Sequence, residues 1–206
     1  MKKIAIIYLH GFNSASLDLN GNLLTSKDKL QVMQKYCSDN AIEFYTPNVD
    51  YRDFLNIVED MLLAWNQYLD QGYEVIFMGS SMGGFASEYL AMKTGGKAIM
   101  INPAICPSEL LVHFIGVTEN PETGQPYHWD QSHCDQYLPF EQELAASKQP
   151  FERTILLDKA DELLDAETTR LKYQAIAQVV MYEGGSHSFE HMREALPIIE
   201  KIICSD

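Results

Sequence analysis

The sequence predicts an α/β protein with a mostly parallel sheet and helices on both faces. Short, continuously apolar segments rich in Val and Ile alternate along the chain with segments whose apolar residues recur at helical spacing. Continuous apolar runs are typical of parallel strands, because helices cover both faces of such a sheet. The alternation of strand and helix favours the same architecture. With 206 residues the chain suits one domain, and we expect that domain to cover residues 1–206.

The predicted elements follow one another in regular order. Strands are predicted at residues 3–10, 43–49, 73–79, 97–103, 153–159 and 178–184. Helices are predicted at residues 26–38, 54–69, 84–93, 166–176 and 189–203. This order predicts parallel strands joined by helical crossovers.

Residues 104–152 break the alternation. The segment begins apolar and then becomes polar and aromatic. A connection of this length in a compact domain is usually functional or disordered, and its many aromatic side chains argue against disorder. We expect a small cap insertion over the carboxyl ends of the strands, with Trp129, Tyr127 and Tyr137 as walls of an apolar substrate pocket. The alternative is a solvent-facing excursion packed elsewhere.

The composition limits the kinds of partner. The net charge is −14, from 15 basic and 29 acidic residues, and no Lys/Arg cluster stands out. Because an acidic surface repels phosphate backbones, we expect no nucleic-acid partner. The apolar runs are far shorter than the ~20 residues that cross a bilayer, so we expect no membrane span.

The N-terminal segment and the cysteines bear on localisation. The segment MKKIAIIYLHG begins like a signal peptide, but Tyr8 and His10 interrupt its apolar run and no small-residue cleavage site follows. We interpret it as a buried first strand. The four cysteines lie far apart without a CxxC pair, which fits free thiols in a reducing compartment, and we expect a cytoplasmic protein.

The segment Gly79-Ser80-Ser81-Met82-Gly83 matches the pattern G-x-S-x-G. It lies between a predicted strand and a predicted helix, which is the context of a nucleophile elbow, where a strained turn exposes a serine hydroxyl above the sheet edge. The alternative is a phosphate-binding glycine turn, but the segment lacks both a GxGxxG pattern and a P-loop lysine. We therefore interpret Ser81 as a nucleophile and Ser80 as structural.

A nucleophilic serine needs a base, and His187 is the candidate. It lies in the glycine-rich segment EGGSHSF after the last predicted strand, from which it can reach back to Ser81. The alternative is a surface-loop histidine. His191 is one helical turn further on, and the HxxxH spacing could suggest a metal, but the nucleophile and the lack of acidic partners disfavour a metal site.

The acid that orients the base should follow the penultimate strand, because the chain order in this kind of site is Ser, then Asp or Glu, then His. The segment LLDKADELLD offers four candidates, Asp158, Asp161, Glu162 and Asp165. Asp158 ends the predicted strand, and Asp165 is placed as the N-cap of the following helix. Asp161, in the turn between them, is the favoured acid.

Acyl transfer also requires donors for the developing oxyanion. One is the backbone N–H of Met82, directly after the nucleophile. The other is expected from the loop after the first strand, where the His10-Gly11 pair would aim the Phe12 N–H at the site. His10 itself is assigned to shaping this loop and not to proton transfer.

These residues give the chain the features of an α/β-hydrolase, and the chain resembles the bacterial YqiA/YcfP-like esterases. The resemblance is carried by YLHGFNS, GSSMGGFA, INPAICPSELL, ENPETGQPY, ADELLD and EGGSHSF, which span nearly the whole chain. It implies a serine carboxylesterase with some thioesterase activity and a triad of Ser81, Asp161 and His187. Residues 16–27 form a longer loop than the family pattern, which bears on substrate range.

The expected function is therefore a serine carboxylesterase that hydrolyses small or short-chain acyl esters through an acyl-enzyme, without a cofactor and without a metal. The partner would be a small-molecule ester or thioester. An acyl-CoA thioesterase ranks second, because CoA is polyanionic and the chain shows no evident basic patch. Peptidase activity is a weaker third. A non-catalytic binding protein on the same fold is the alternative from another class.

Overall fold

The computed structural model describes residues 2–24 and 26–205. In this part of the chain, six strands form one parallel sheet in the order β2-β1-β3-β4-β5-β6. The strands are β1 (Lys3–Leu9), β2 (Glu43–Tyr45), β3 (Tyr73–Ser80), β4 (Lys97–Ile101), β5 (Glu152–Asp158) and β6 (Gln178–Tyr182). From β1 the chain first adds β2 on one side and then β3 on the other, so the direction of strand addition reverses between β1 and β3. Open α/β sheets bind ligands beside such a switch in strand order.

Helices cover both faces of the sheet. They are α1 (Asp28–Asp39), α2 (Phe54–Asp70), α3 (Met82–Thr94), α4 (Pro107–Leu110), α5 (Gln131–Asp135), α6 (Leu138–Ala146), α7 (Ala166–Tyr173) and α8 (Met192–Cys204), with a 3₁₀ turn at Leu111–Phe114. None of the described helices is both long enough and apolar enough to cross a membrane. The four cysteines are free thiols.

Two hydrophobic cores form because successive side chains of a strand point to opposite faces. From β1, Ile7 and Leu9 pack with side chains of α2 and α3. Ile6 and Tyr8 pack on the other face with side chains of α1 and α8. β1 is therefore apolar on both faces, as its continuous run in the sequence predicted.

The predicted parallel sheet with helices on both faces is confirmed, and the element bounds differ only near their ends. β2 ends at Tyr45, before Pro47, which has no N–H to donate to a ladder. α8 begins at Met192 and not at the predicted residue 189. The reason is that Asp158 accepts hydrogen bonds from the Ser186 and Glu190 amides and holds the preceding segment as a loop.

Residues 104–152 contribute both to the core and to the edge of the sheet. Trp129 and Tyr137 are fully buried, and Tyr137 packs on Phe54 of α2 with ring centroids 5.1 Å apart. At the other end of the segment, Leu110 and Phe114 line a cavity together with Ser81. The segment thus connects the core on the α2 side with the sheet edge that carries the elbow.

Candidate active site

Ser81 lies between β3 and α3 in a strained backbone conformation, with φ 55° and ψ −119°. A positive φ is uncommon for a residue with a side chain and is sustained only where the surroundings impose it. Here the Ser81 N–H donates to the Ile101 carbonyl at 2.9 Å, and the Ser81 carbonyl accepts from the Ala104 N–H at 3.1 Å. These bonds to the end of β4 and the start of the insertion fix the turn.

Glycines on either side of Ser81 allow the strand and the helix to approach closely. A Cβ on Gly79 would lie 2.1 Å from the Gly83 carbonyl oxygen, and a Cβ on Gly83 would lie 1.9 Å from the Leu9 carbonyl oxygen. Neither position can hold a side chain without moving the backbone. The glycines of the pattern are therefore required by the turn that projects Ser81.

His187 and Asp161 form a hydrogen-bonded pair, with 2.8 Å between His187 Nδ1 and Asp161 Oδ2. The other carboxylate oxygen, Oδ1, accepts the N–H groups of Leu163 and Leu164, each at 2.9 Å. Only 2% of the Asp161 side chain is exposed, against 19% for His187. The carboxylate is thus fixed by its own loop and in turn fixes the imidazole ring.

Asn102 and Asp158 hold the loop that carries His187. Asn102 Nδ2 donates to the Ser186 carbonyl at 3.0 Å, while its Oδ1 accepts from the Asp158 N–H at 2.9 Å. The buried Asp158 carboxylate accepts from His191 Nδ1 at 2.7 Å, which pairs His191 with Asp158 and not with Asp161. Asn102 was missed in the sequence analysis, although it begins the segment NPA that follows β4.

The two predicted oxyanion donors belong to the elbow itself and to the loop after β1. Met82 is the first residue of α3, so its N–H is one of the amides that have no acceptor within the helix. Phe12 belongs to the loop after β1, and a Cβ on Gly11 in that loop would lie 3.2 Å from Ser81 Cβ. The loop therefore contacts the serine directly.

His10 is buried within that loop and makes two hydrogen bonds. Its Nε2 accepts from the Val49 N–H at 3.0 Å, so the ring proton is on Nδ1, which donates to the Gly11 carbonyl at 2.8 Å. Burial lowers the pKa of His10 to about 4, which keeps the ring neutral. These contacts shape the loop, as expected from the sequence.

Two cavities meet at Ser81, and both are lined by Phe12, Ser81 and His187. The first, which we call the polar cavity, has a volume of about 370 Å³ and is also lined by Ser14, Ser26, Lys27, Lys29, Ser80 and Glu190. The second, the apolar cavity, has a volume of about 450 Å³ and is also lined by Leu110, Leu111, Phe114, Leu163 and Leu164. Volumes of this size fit small molecules.

Trp129 and Tyr127, which the sequence analysis assigned to the substrate pocket, do not line either cavity. Both pack behind Phe12, with ring centroids 4.6 Å and 5.7 Å from the Phe12 ring. Trp129 is fully buried and its Nε1 donates to the Leu111 carbonyl at 3.2 Å. The aromatic residues of the insertion therefore support Phe12 and the cavity wall from the core side.

Comparison with known proteins assigns the chain to a protein family. The model of an uncharacterised protein family, UPF0227, matches residues 5–204. The chain belongs to the UPF0227 family. A UPF0227 protein of Shewanella woodyi is 24% identical over 198 residues, which cover 95% of this chain and 97% of that protein. The resemblance to YqiA/YcfP-like proteins stated from the sequence is thereby confirmed.

Solved structures similar to this UPF0227 protein share its fold. Est1E from Butyrivibrio proteoclasticus matches with a TM-score of 0.69 and 16% identity, over 99% of this chain and 90% of that one. FphF, a fluorophosphonate-binding serine hydrolase of Staphylococcus aureus, matches with a TM-score of 0.62 and 17% identity, over 100% of this chain and 86% of that one. At these identities the likeness establishes the α/β-hydrolase fold of the UPF0227 chain.

Proposed function

We propose that this UPF0227 protein is a serine hydrolase that cleaves carboxylic esters through a covalent acyl-enzyme. One observation carries the proposal: a serine in a strained strand–helix turn lines the same two cavities as a histidine whose Nδ1 is held 2.8 Å from a buried carboxylate. Strain of this kind concentrates at functional sites. FphF, which shares the fold, is described as a serine hydrolase.

In this proposal Asp161 accepts a hydrogen bond from the Nδ1–H group of His187, which keeps that proton on Nδ1 and leaves Nε2 unprotonated and free to take the Ser81 proton. Ser81 Oγ then attacks the ester carbonyl, and the N–H groups of Met82 and Phe12 stabilise the oxyanion. Protonated His187 donates its proton to the leaving alkoxide. Water, deprotonated by the same imidazole, then attacks the acyl-enzyme, and His187 returns the proton to Ser81 Oγ as the carboxylic acid leaves. No step requires a cofactor or a metal.

The apolar cavity supports a preference for small or short acyl groups. Apolar side chains make up most of its wall, to which the insertion supplies Leu110, Leu111 and Phe114, while Asn13, His113 and Glu162 are its polar members besides Ser81 and His187. We infer that residues 104–152 act as a small cap that limits acyl length. Each methylene that fits such a pocket is worth about 1–3 kcal/mol of discrimination.

An acyl-CoA thioesterase is a second candidate, and one structural observation, which the sequence did not provide, favours it. Lys27 and Lys29 line the polar cavity, so positive charge reaches the site of a protein whose net charge is −14. The same three residues would cleave a thioester. Activity on acyl-CoA relative to oxygen esters of the same acyl group separates the two candidates.

The proposal is tested by hydrolysis of 4-nitrophenyl esters from acetate to decanoate. Ser81→Ala should lower kcat/KM by about 10³-fold or more, because the acyl-enzyme can no longer form. Ser80→Ala is the adjacent control and should keep substantial activity. Full activity of Ser81→Ala, or loss confined to Ser80→Ala, would contradict the assignment of the nucleophile.

A further inference from the structure

Lys29 brings a positive charge into the polar cavity beside Ser81. It lies in the first turn of α1, and its half-buried side chain lines the polar cavity. Lys29 Nζ donates to Ser80 Oγ at 2.6 Å. The ammonium group is thus held next to the residue that precedes the proposed nucleophile.

The other charges around the polar cavity are paired or exposed. Lys27 forms an ion pair with Glu122 of the insertion, and Asp28 forms one with Arg193 of α8. Glu190 is exposed at the rim. Among the residues that the structure describes, no carboxylate forms an ion pair with Lys29. Among these residues, the carboxylates of Asp161 and Asp158 act on the ammonium group from beyond ion-pair distance.

A partly dehydrated cation without a counter-ion is costly, and a bound anion would offset that cost. The environment shows this cost: burial, with a further contribution from the nearby Lys27, lowers the pKa of Lys29 to about 8. The carboxylates of Asp161 and Asp158 oppose the shift. At neutral pH the side chain remains mostly protonated and can bind an anion.

The segment that positions Lys29 is tied to the rest of the fold. Asn48 Oδ1 accepts the N–H groups of Ser16 and Leu17 at 2.8 and 2.9 Å, which anchors the start of the loop. Asn120 of the insertion donates to the Ser14 carbonyl at 3.0 Å, and the Lys27–Glu122 pair adds a second link to the insertion. These anchors set the position of the ammonium group relative to Ser81.

We propose that Lys29 binds a carboxylate of the substrate, so that the preferred esters carry a second, ionised carboxyl group in addition to the ester. This inference rests on the proposed function. In such a substrate the acyl chain with its free carboxylate would occupy the polar cavity and the leaving group the apolar cavity, whereas an uncharged acyl chain would lie in the apolar cavity. The ester carbonyl lies at Ser81 in both cases. Since Lys27 is paired with Glu122, the Lys29 ammonium is the cation that can take up one carboxylate in this cavity, whereas the phosphates of CoA would need several cations.

The kinetic test compares two esters of equal acyl length, 4-nitrophenyl hydrogen glutarate and 4-nitrophenyl pentanoate. The wild-type protein should favour the glutarate ester, and Lys29→Met should lower the glutarate/pentanoate ratio of kcat/KM by about tenfold or more, since a hydrogen bond to a charged group is lost. Lys35→Met is the matched control. Lys35 is exposed on the same helix and paired with Asp39, so its substitution should leave the ratio unchanged.

The binding test does not depend on catalysis. Ser81→Ala should bind methyl hydrogen glutarate in calorimetry, and adding Lys29→Met, or Lys29→Gln if the first variant does not fold, should weaken that binding by about tenfold or more. Binding that depends on Lys29 in a protein that hydrolyses no ester would overturn the proposed function and keep this inference. A ratio unaffected by Lys29→Met, no glutarate binding, or stronger competition by inorganic phosphate or CoA than by glutarate would overturn the inference.

Discussion

Two aspartates at and just after the end of β5, Asp158 and Asp161, each form a hydrogen-bonded pair with a histidine, and the two pairs have different surroundings. Asp161 pairs with His187, which lines both cavities at Ser81. Asp158 pairs with His191 and also accepts two loop amides, and its carboxylate is fully buried. The Asp158 pair therefore supports the loop, and the Asp161 pair orients the histidine that lines both cavities with Ser81.

Substituting the acid of the proposed triad should separate orientation from folding. Asp161→Asn should lower kcat by up to about 10⁴-fold, because an amide cannot hold His187 with the proton on Nδ1. Circular dichroism should show an intact fold. Asp165→Asn is the control: the Asp165 side chain caps α7 by accepting from the Thr168 N–H, and asparagine is an equally good cap. Equal activity losses in both variants would contradict the role of Asp161.

Single residues differ in how far the sequence predicts them. Ser81, Asp161 and His187 are predicted because each follows a strand at the same sheet edge, where local pattern and topology coincide. Lys29 is not predicted, because its contact with Ser80 joins two segments that no local pattern relates. The sequence predicts Trp129 in a pocket wall because its side chain combines an apolar ring with a polar N–H. Its full burial results from packing against Phe12, which no local pattern reveals.

At the scale of elements, the four central strands β1, β3, β4 and β5 are predicted well because each contains a continuous apolar run that is buried on both faces. The insertion is predicted as a unit but not in detail. Its short helices α4 and α5 contain four and five residues, too few to show helical periodicity. Their positions depend on contacts made by Trp129 and Tyr137 with the core.

The insertion should set acyl length through the wall of the apolar cavity. Leu110→Trp, which fills part of that cavity, should lower kcat/KM for hexanoate and longer esters by about tenfold or more relative to acetate, because each methylene contributes about 1–3 kcal/mol. Leu138→Trp is the control, since Leu138 is 45% exposed on α6 and does not line either cavity at Ser81. An unchanged chain-length profile in Leu110→Trp would remove the insertion from the acyl site.

For the molecule as a whole, a buried polar network joins elements far apart in the chain. Glu88 of α3, which is 2% exposed, accepts from Arg153 of β5 at 2.8 Å and from the Tyr173 hydroxyl of α7 at 2.6 Å. Neither Glu88 nor Arg153 lines the cavities at Ser81. The network therefore bears on stability and not on the proposed chemistry.

Removing the centre of this network should destabilise the protein without changing its specificity. Glu88→Ala leaves the Arg153 charge uncompensated, and we expect the free energy of unfolding in urea to fall by about 3–5 kcal/mol. Lys35→Ala, which breaks an exposed pair, should change it by no more than about 0.5 kcal/mol. A small effect of Glu88→Ala would mean that the network contributes little to stability.

The most direct test of the account is to locate the site of covalent reaction with a fluorophosphonate in the whole protein. The proposed mechanism makes Ser81 the only activated hydroxyl, since His187, oriented by Asp161, is available to accept its proton. Peptide mass spectrometry should place a single adduct on Ser81, and Asp161→Asn should slow its formation. An adduct on Ser80, or no adduct under conditions that label other serine hydrolases, would contradict the account.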